Sequence, residues 1–251
     1  MTADLTSFPL FYRRPTPLDP ARDGKAGLPA RRDMAFAAAT NSIPLVLGEL
    51  AEAARCYPIL FTNDAKPIPI ALVGLVGDHN LFVRPADDGT AVRVWEDGYY
   101  VPGYVRRYPF ILMETVETER FTLCADADGL TQGGDDGVPL FAADGTPTQA
   151  MQEGIEFCKL YHGEYARTRA WIDALQAADL LVEHQAAITF GDTAKPFTFT
   201  GFQVIDWEKF NALPDAVFLD WRQRGWLAPA YLHQLSGLNW DRLLRRNAQR
   251  L

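Results

Sequence analysis

A long amphipathic segment from Thr146 to Leu180 constrains the fold more than any other part of the chain. Thr146 and Gln149 have the spacing of a capping box, and Pro147 suits a first helical position. Residues that can face a core then recur at steps of three and four, which places them on one side of an α-helix. They are Met151, Ile155, Cys158, Tyr161, Tyr165, Thr168, Ile172 and Leu175. We predict a helix over about 147–180 that buries this stripe.

Segments with the character of β-strands lie on both sides of this helix. Before it we expect strands at 57–61, 66–76, 80–84, 91–95, 110–113 and 120–125, and after it at 187–190 and 197–205. Short turns predict two hairpins, one at 77–79 between 66–76 and 80–84, and one at 191–192 between the last two strands. The strand at 120–125 is expected to pair with 110–113.

The remaining segments complete a mixed architecture. Residues 1–33 are rich in proline and arginine and are expected to form an extended, docked arm. A weak helix follows Pro44, and helices at 206–213, 215–224, 229–235 and 239–251 form a helical C-terminal part over 206–251. Strands, a helix, strands and helices in that order predict an α+β fold. We expect a mostly antiparallel sheet packed against the long helix, in a single domain over 1–251.

The charge distribution limits the class of partner. The net charge is −8, and the region between Glu114 and Glu156 contains ten acids against Arg120 alone. The rest of the chain is nearly neutral, with arginine pairs at 13–14, 31–32, 106–107 and 245–246. This balance argues against a broad nucleic-acid surface.

The cysteines and the N-terminal residues point to a cytoplasmic protein. The three cysteines lack CxxC spacing and leave an odd thiol, which suits a reducing compartment. The first fifteen residues lack the pattern of a secretory signal, and no apolar run reaches the ~20 residues of a membrane helix. We therefore expect no membrane span and a cytoplasmic location.

The candidate catalytic and cofactor patterns are weak. His162 and Glu164, with His184 or His233, resemble the His-x-acid…His set of non-haem iron enzymes. Two residues apart on a helix, however, side chains diverge by roughly 200°. Cys158 precedes His162 by four residues but lies on the stripe expected to be buried, where a thiol usually packs as a small hydrophobe. The glycine-rich and acidic segments lack phosphate-loop and calcium-loop spacing. We expect no cofactor and no catalytic set.

A dense aromatic and basic cluster is the strongest candidate for binding. It consists of Tyr99, Tyr100, Tyr104, Arg106, Arg107 and Tyr108. Tyrosine and arginine are enriched at recognition surfaces because they supply contact area and hydrogen bonds. The alternative is that the tyrosines cap a sheet edge and the arginines pair with the acids of 114–128.

In several stretches, in order, the chain resembles the SapC family of bacterial proteins. These stretches include PLFYRRPTPLDP, NSIPLVLGELAEAARCYPILF, ALVGLVGDHNLFV, YYVPGYVRRYPFILME, TLC, EFCKLY, TGFQVIDWEKFNALPD and FLDWRQRGWLAPAYLHQLSGLNWDRL. The family name refers to bacterial surface layers (S-layers), and members are also labelled peptide-transport permeases. Members tend to be encoded beside TonB-dependent receptors and tryptophan-halogenase-like flavoproteins. The resemblance implies an accessory role in uptake or modification, and it supplies no catalytic residues.

The function expected from these observations is that of a non-catalytic binding or accessory protein of the SapC type. Its partner would be another protein or a peptide at the 99–108 cluster, and a homo-oligomer is compatible with the sequence. One alternative is an iron-dependent enzyme that uses His162, Glu164 and His233. The other is a structural protein associated with a surface layer.

Overall fold

The computed structural model describes residues 8–115, 120–132, 137–188 and 197–249. The chain divides into two compact units, each with more contacts inside it than to the other. The first unit is drawn from Met1–Ala37, Pro85–Val94 and Tyr104–Gly163, and the second from Ala38–Arg84, Trp95–Gly103 and Glu164–Leu251. Whether the chain folds as one domain over 1–251 stays a prediction.

The secondary structure combines short strands with helices. The strands are β1 (Pro15–Pro17), β2 (Ala26–Pro29), β3 (Ser42–Pro44), β4 (Ile59–Thr62), β5 (Pro69–Leu72), β6 (Val83–Pro85), β7 (Arg93–Trp95), β8 (Phe110–Thr115), β9 (Arg120–Asp126), β10 (Thr131–Gln132), β11 (Gly137–Pro139), β12 (Leu181–Ile188) and β13 (Phe197–Ile205). The helices are α1 (Pro20–Asp23), α2 (Leu50–Ala54), α3 (Gly103–Arg107), α4 (Gln149–Ala177), α5 (Trp207–Asn211), α6 (Asp215–Arg224), α7 (Leu227–Ser236) and α8 (Trp240–Ala248). The α+β prediction is confirmed.

The predicted long helix is α4, a 29-residue helix that begins two residues after Pro147. Most of its predicted stripe is buried, including Met151, Cys158 and Leu175. Ile155 is partly buried, and Tyr165 is exposed over 45% of its surface. The 3.6-residue period therefore identified the buried face correctly at most positions.

The first unit contains two small antiparallel sheets. One has the order β1-β9-β8, and the other has the order β10-β2-β11. The predicted pairing of β8 with β9 is confirmed, with Leu112 opposite Leu123. The N-terminal arm supplies β1 and β2, so from Pro15 onward it takes part in both sheets rather than only lying over a surface.

A buried carboxylate holds the arm in place. Asp126 is fully buried, and its Oδ2 accepts hydrogen bonds from the backbone amides of Arg13 and of Arg14, the latter at 3.1 Å. Its Oδ1 accepts a hydrogen bond from the backbone amide of Asp128 at 3.0 Å. Tyr12 is also buried and donates to the carbonyl of Phe110 at 2.6 Å. These bonds satisfy backbone donors that β1 alone would leave unpaired.

Replacement of Asp126 by alanine is expected to destabilise the first unit by about 2 kcal/mol, because three backbone amides lose their acceptor. Faster tryptic cleavage between Arg13 and Arg14 would report release of the arm. The variant Asp126→Asn retains one acceptor oxygen, so its cleavage rate should lie between those of wild type and Asp126→Ala. Equal cleavage rates for wild type and Asp126→Ala would contradict this role.

The second unit contains a five-stranded antiparallel sheet of order β12-β13-β4-β5-β3. The predicted hairpin of β12 and β13 is confirmed, although β12 begins at Leu181 rather than at 187, and the predicted turn lies outside the described residues. The predicted hairpin around 77–79 is wrong, because β5 pairs with β3 and β4. β5 is buried at every position, and two flanking strands bury it better than one following segment would.

The C-terminal helices follow their local signals. Asp206 caps α5, accepting from the amide of Glu208 at 3.0 Å, and α6 ends at Gly225, whose φ of 72° is left-handed. Within the described residues, no helix combines the length and apolar character needed to cross a bilayer.

Candidate functional site

The predicted aromatic and basic cluster is divided between the two units. Tyr99 and Tyr100 belong to the second unit, whereas the residues from Tyr104 to Tyr108 belong to the first. In the second unit the hydroxyl of Tyr100 donates to Glu49 at 2.8 Å, and the guanidinium of Arg246 lies 4.9 Å from the ring of Tyr99. These two tyrosines therefore contribute to the packing of the second unit.

The tyrosines of α3 and its C-terminal end are buried rather than displayed. Tyr104 and Tyr108 are each 7% exposed. Tyr104 donates its hydroxyl to the carbonyl of Leu10 at 3.1 Å, and Tyr108 stacks on Phe36 with 4.1 Å between ring centroids. Among the residues from Tyr104 to Tyr108, Arg106 is the one that is exposed. The sequence did not predict the one-turn helix α3. In a helix neighbouring residues point in different directions, which is why Arg106 is exposed while Tyr104 and Tyr108 are buried.

Arg107 lies among three tyrosine rings. Its guanidinium carbon is 4.6 Å from the ring centroid of Tyr104, 4.7 Å from that of Tyr161 and 5.5 Å from that of Tyr12. Its Nε donates to the hydroxyl of Tyr12 at 3.2 Å. Burial raises the pKa of Tyr12 and of Tyr104, so these rings stay neutral at pH 7. The rings stabilise the cation through their faces, and no described carboxylate pairs with it.

Beside α3 the first unit contains a cavity of about 620 Å³. This volume is in the range of small-molecule sites. Much of its wall is apolar or aromatic, and it also carries four arginines. The lining residues are Leu28, Pro29, Arg31, Arg32, Asp33, Ala35, Phe36, Arg106, Arg107, Tyr108, Pro109, Phe110, Asp128, Gly129, Leu130, Thr131, Ala150, Glu153, Gly154 and Phe157.

Arg32 is a cation of this wall that backbone carbonyls hold in place. Its guanidinium donates to the carbonyls of Arg106 at 3.0 Å, of Val105 at 2.7 Å and of Tyr108. The carbonyls of Val105 and Arg106 belong to the C-terminal turn of α3, and that of Tyr108 follows it directly. Carbonyls at the C-terminal end of a helix carry partial negative charge, which attracts a cation. Burial lowers the pKa of Arg32. Its ordinary value is so far above 7 that the group remains charged.

The acids of the cavity wall are engaged with other groups. Asp33 accepts hydrogen bonds from the amides of Ala35 at 2.9 Å and Arg93 at 3.0 Å. Asp128 pairs with Arg14 at 2.8 Å. Among the described residues, no carboxylate forms an ion pair with Arg32. Arg31, by contrast, pairs with Asp88. Arg32 is therefore a wall cation whose described partners are carbonyl dipoles rather than a carboxylate.

The residues of the iron alternative occupy separate environments. The ring of His162 lies 4.3 Å from that of Phe121. Glu164 accepts from the amide of Gly48 at 2.9 Å and pairs with Arg167 at 2.5 Å. His233 is buried, with its ring 5.1 Å from Phe61. In the described part of the chain no three His, Cys, Asp or Glu side chains group closely enough to hold a metal ion, so this alternative gains no support.

Sequence reasoning did not identify Arg32, Phe36 and Phe157 as site residues. The arginine pair at 31–32 was visible as a basic cluster, and Phe36 follows it by one helical turn's spacing. Phe157 lies off the stripe of α4, next to Cys158, and the guanidinium of Arg106 covers its ring at 5.2 Å. The position of an aromatic residue outside the buried stripe was the sequence signal that could have identified Phe157 as a site residue.

Comparison with known proteins gives one result. The family model that matches the chain is described as SapC, and it covers residues 18–243, nearly the whole sequence. No curated protein and no solved structure is significantly similar to the chain.

Proposed function

Because the chain belongs to the SapC family, we propose that it acts as a non-catalytic binding protein, and that the cavity of the first unit is its binding site. One observation carries the proposal. Arg32 lies on the wall of a partly apolar cavity, is fixed by three backbone carbonyls, and has no described carboxylate as a partner. An anionic group on a ligand would supply that partner.

The energetics favour a ligand rather than an empty cavity. A cation withdrawn from water loses hydration, and carbonyl dipoles replace only part of it. A charge-assisted hydrogen bond to an anion is roughly twice as strong as a neutral one. Since the backbone already fixes Arg32, binding would order few additional side-chain rotations. Arg32 therefore attracts an anionic group by its charge, and its side chain is already held in place before the ligand binds.

The family resemblance implies an accessory role in uptake or modification, and the proposal is compatible with it. The expected protein or peptide partner would present an anionic side chain or terminus to the cavity. Arg106, which is exposed, is the residue of the 99–108 cluster best placed for first contact. The cytoplasmic location and a homo-oligomer stay predictions.

The proposal is tested with 1-anilinonaphthalene-8-sulfonate, a fluorescent aromatic monoanion. Titration of the full chain is expected to show saturable fluorescence. Arg106→Met and Arg32→Met should each weaken the apparent affinity about tenfold, the effect of losing one charge-assisted hydrogen bond. Arg55→Met is the matched control, since Arg55 is an exposed arginine of the second unit.

Arg106→Met keeps the test decisive if Arg32→Met folds poorly, because the side chain of Arg106 is exposed. Circular dichroism would establish that each variant is folded. Equal affinities in wild type, Arg106→Met and Arg55→Met, or the lack of saturable binding to the wild type, would overturn the proposal.

A further inference from the structure

We infer that the ligand of this cavity is an organic monocarboxylate with a flat apolar body. The inference rests on the proposed function and adds the chemical class of the ligand. It follows from three properties of the wall: the free donors of Arg32, the limited excess of positive charge, and the aromatic rings.

The first property is the donor capacity of Arg32. A guanidinium carries five N–H groups. Three of them point to the carbonyls of Val105, Arg106 and Tyr108. The other two, one on Nε and one on Nη1, have no acceptor among the described residues. The bonds to the carbonyls fix the orientation of the guanidinium, and each remaining N–H can donate one charge-assisted hydrogen bond to a carboxylate oxygen.

The second property is the charge of the wall, which favours a single negative charge on the ligand. Four arginines and three acids line the cavity, a formal excess of one positive charge. Asp33, Asp128 and Glu153 would repel a second negative charge, and an apolar wall screens that repulsion less than water does. A carboxylate matches this excess, whereas a phosphate monoester at pH 7 carries about −1.5 to −2.

The third property is the set of aromatic rings on the wall. Phe36 and Tyr108 are stacked at 4.1 Å with an interplanar angle of 21°, which forms a flat element of the wall. Phe157 lies below the guanidinium of Arg106. Leu28 and Leu130 add aliphatic surface. Aromatic rings prefer offset-stacked or edge-to-face contact, so a flat apolar body fits between them better than a sugar or a polar chain.

Three naphthalene derivatives with the same ring test the inference on the full chain. They are 2-naphthoate, the neutral 2-naphthamide and the mostly dianionic 2-naphthyl phosphate, each titrated as a competitor of the fluorescent sulfonate at pH 7.5. We expect 2-naphthoate to bind at least tenfold more tightly than either analogue. Arg32→Met should remove most of that advantage and Arg106→Met should reduce it, and both should leave the affinity for 2-naphthamide within about twofold of wild type.

The outcomes separate the inference from the proposed function. If 2-naphthamide binds as tightly as 2-naphthoate, the cavity binds apolar ligands and only the carboxylate inference is overturned. Tighter binding of 2-naphthyl phosphate overturns it in favour of a phosphate ligand. If neither the sulfonate nor any naphthalene binds, the proposed function fails as well.

Discussion

Replacement of Trp171 by alanine is expected to lower the free energy of unfolding by about 3–5 kcal/mol, the range for loss of a buried aromatic side chain. Trp171 lies in α4, belongs to the second unit and has no exposed surface. Its ring centroid is 5.8 Å from that of Phe61, which is also fully buried. Removal of the indole would leave a cavity that Phe61 fills only in part. Urea unfolding followed by circular dichroism measures the change.

Trp171→Phe is the matched control for this prediction. The indole Nε1 of Trp171 is buried and has no hydrogen-bond partner among the described residues. Phenylalanine would retain most of the apolar contact and remove that unpaired donor, so we expect a loss of less than about 2 kcal/mol. A loss below 1 kcal/mol for Trp171→Ala would show that the site is not part of the stabilising core.

The stability of the protein is expected to fall by about 3 kcal/mol between pH 7 and pH 4 because of His233 alone. Burial lowers the pKa of His233 from 6.5 to about 4. Below pH 6.5 the unfolded chain binds a proton at this residue, whereas the folded chain does so only near pH 4. Since the unfolded state then holds more protons, acid favours unfolding across this interval.

The variant His233→Gln isolates this contribution from that of other titrating groups. The slope of the unfolding free energy against pH should become shallower between pH 6.5 and 4 in this variant, as measured by urea unfolding at several pH values. His79→Gln, at an exposed position, serves as the control and should retain the slope of wild type. Parallel slopes for wild type and His233→Gln would refute the assignment.

The candidate site was only partly predictable from the chain. Arg106, Arg107 and Tyr108 were recognised as a dense cluster, and the structure places all three on the cavity wall. The cluster was expected to be an exposed contact surface, but burial of Tyr104 and Tyr108 leaves Arg106 as its exposed part in the first unit. The contact of Arg32 with Val105, across 73 positions, has no local signal.

The sequence by itself determined the elements whose signals are local. The stripe of α4 depends on helical periodicity, and the ends of α5 and α6 depend on capping residues. The pairs β8–β9 and β12–β13 join strands that are neighbours in the sequence. Only the tertiary structure decided the partners of β5 and the convergence of Arg32, Phe36 and Phe157 on one cavity. Such contacts depend on which distant segments bury each other best, and the free energy of that choice is a property of the whole packed core.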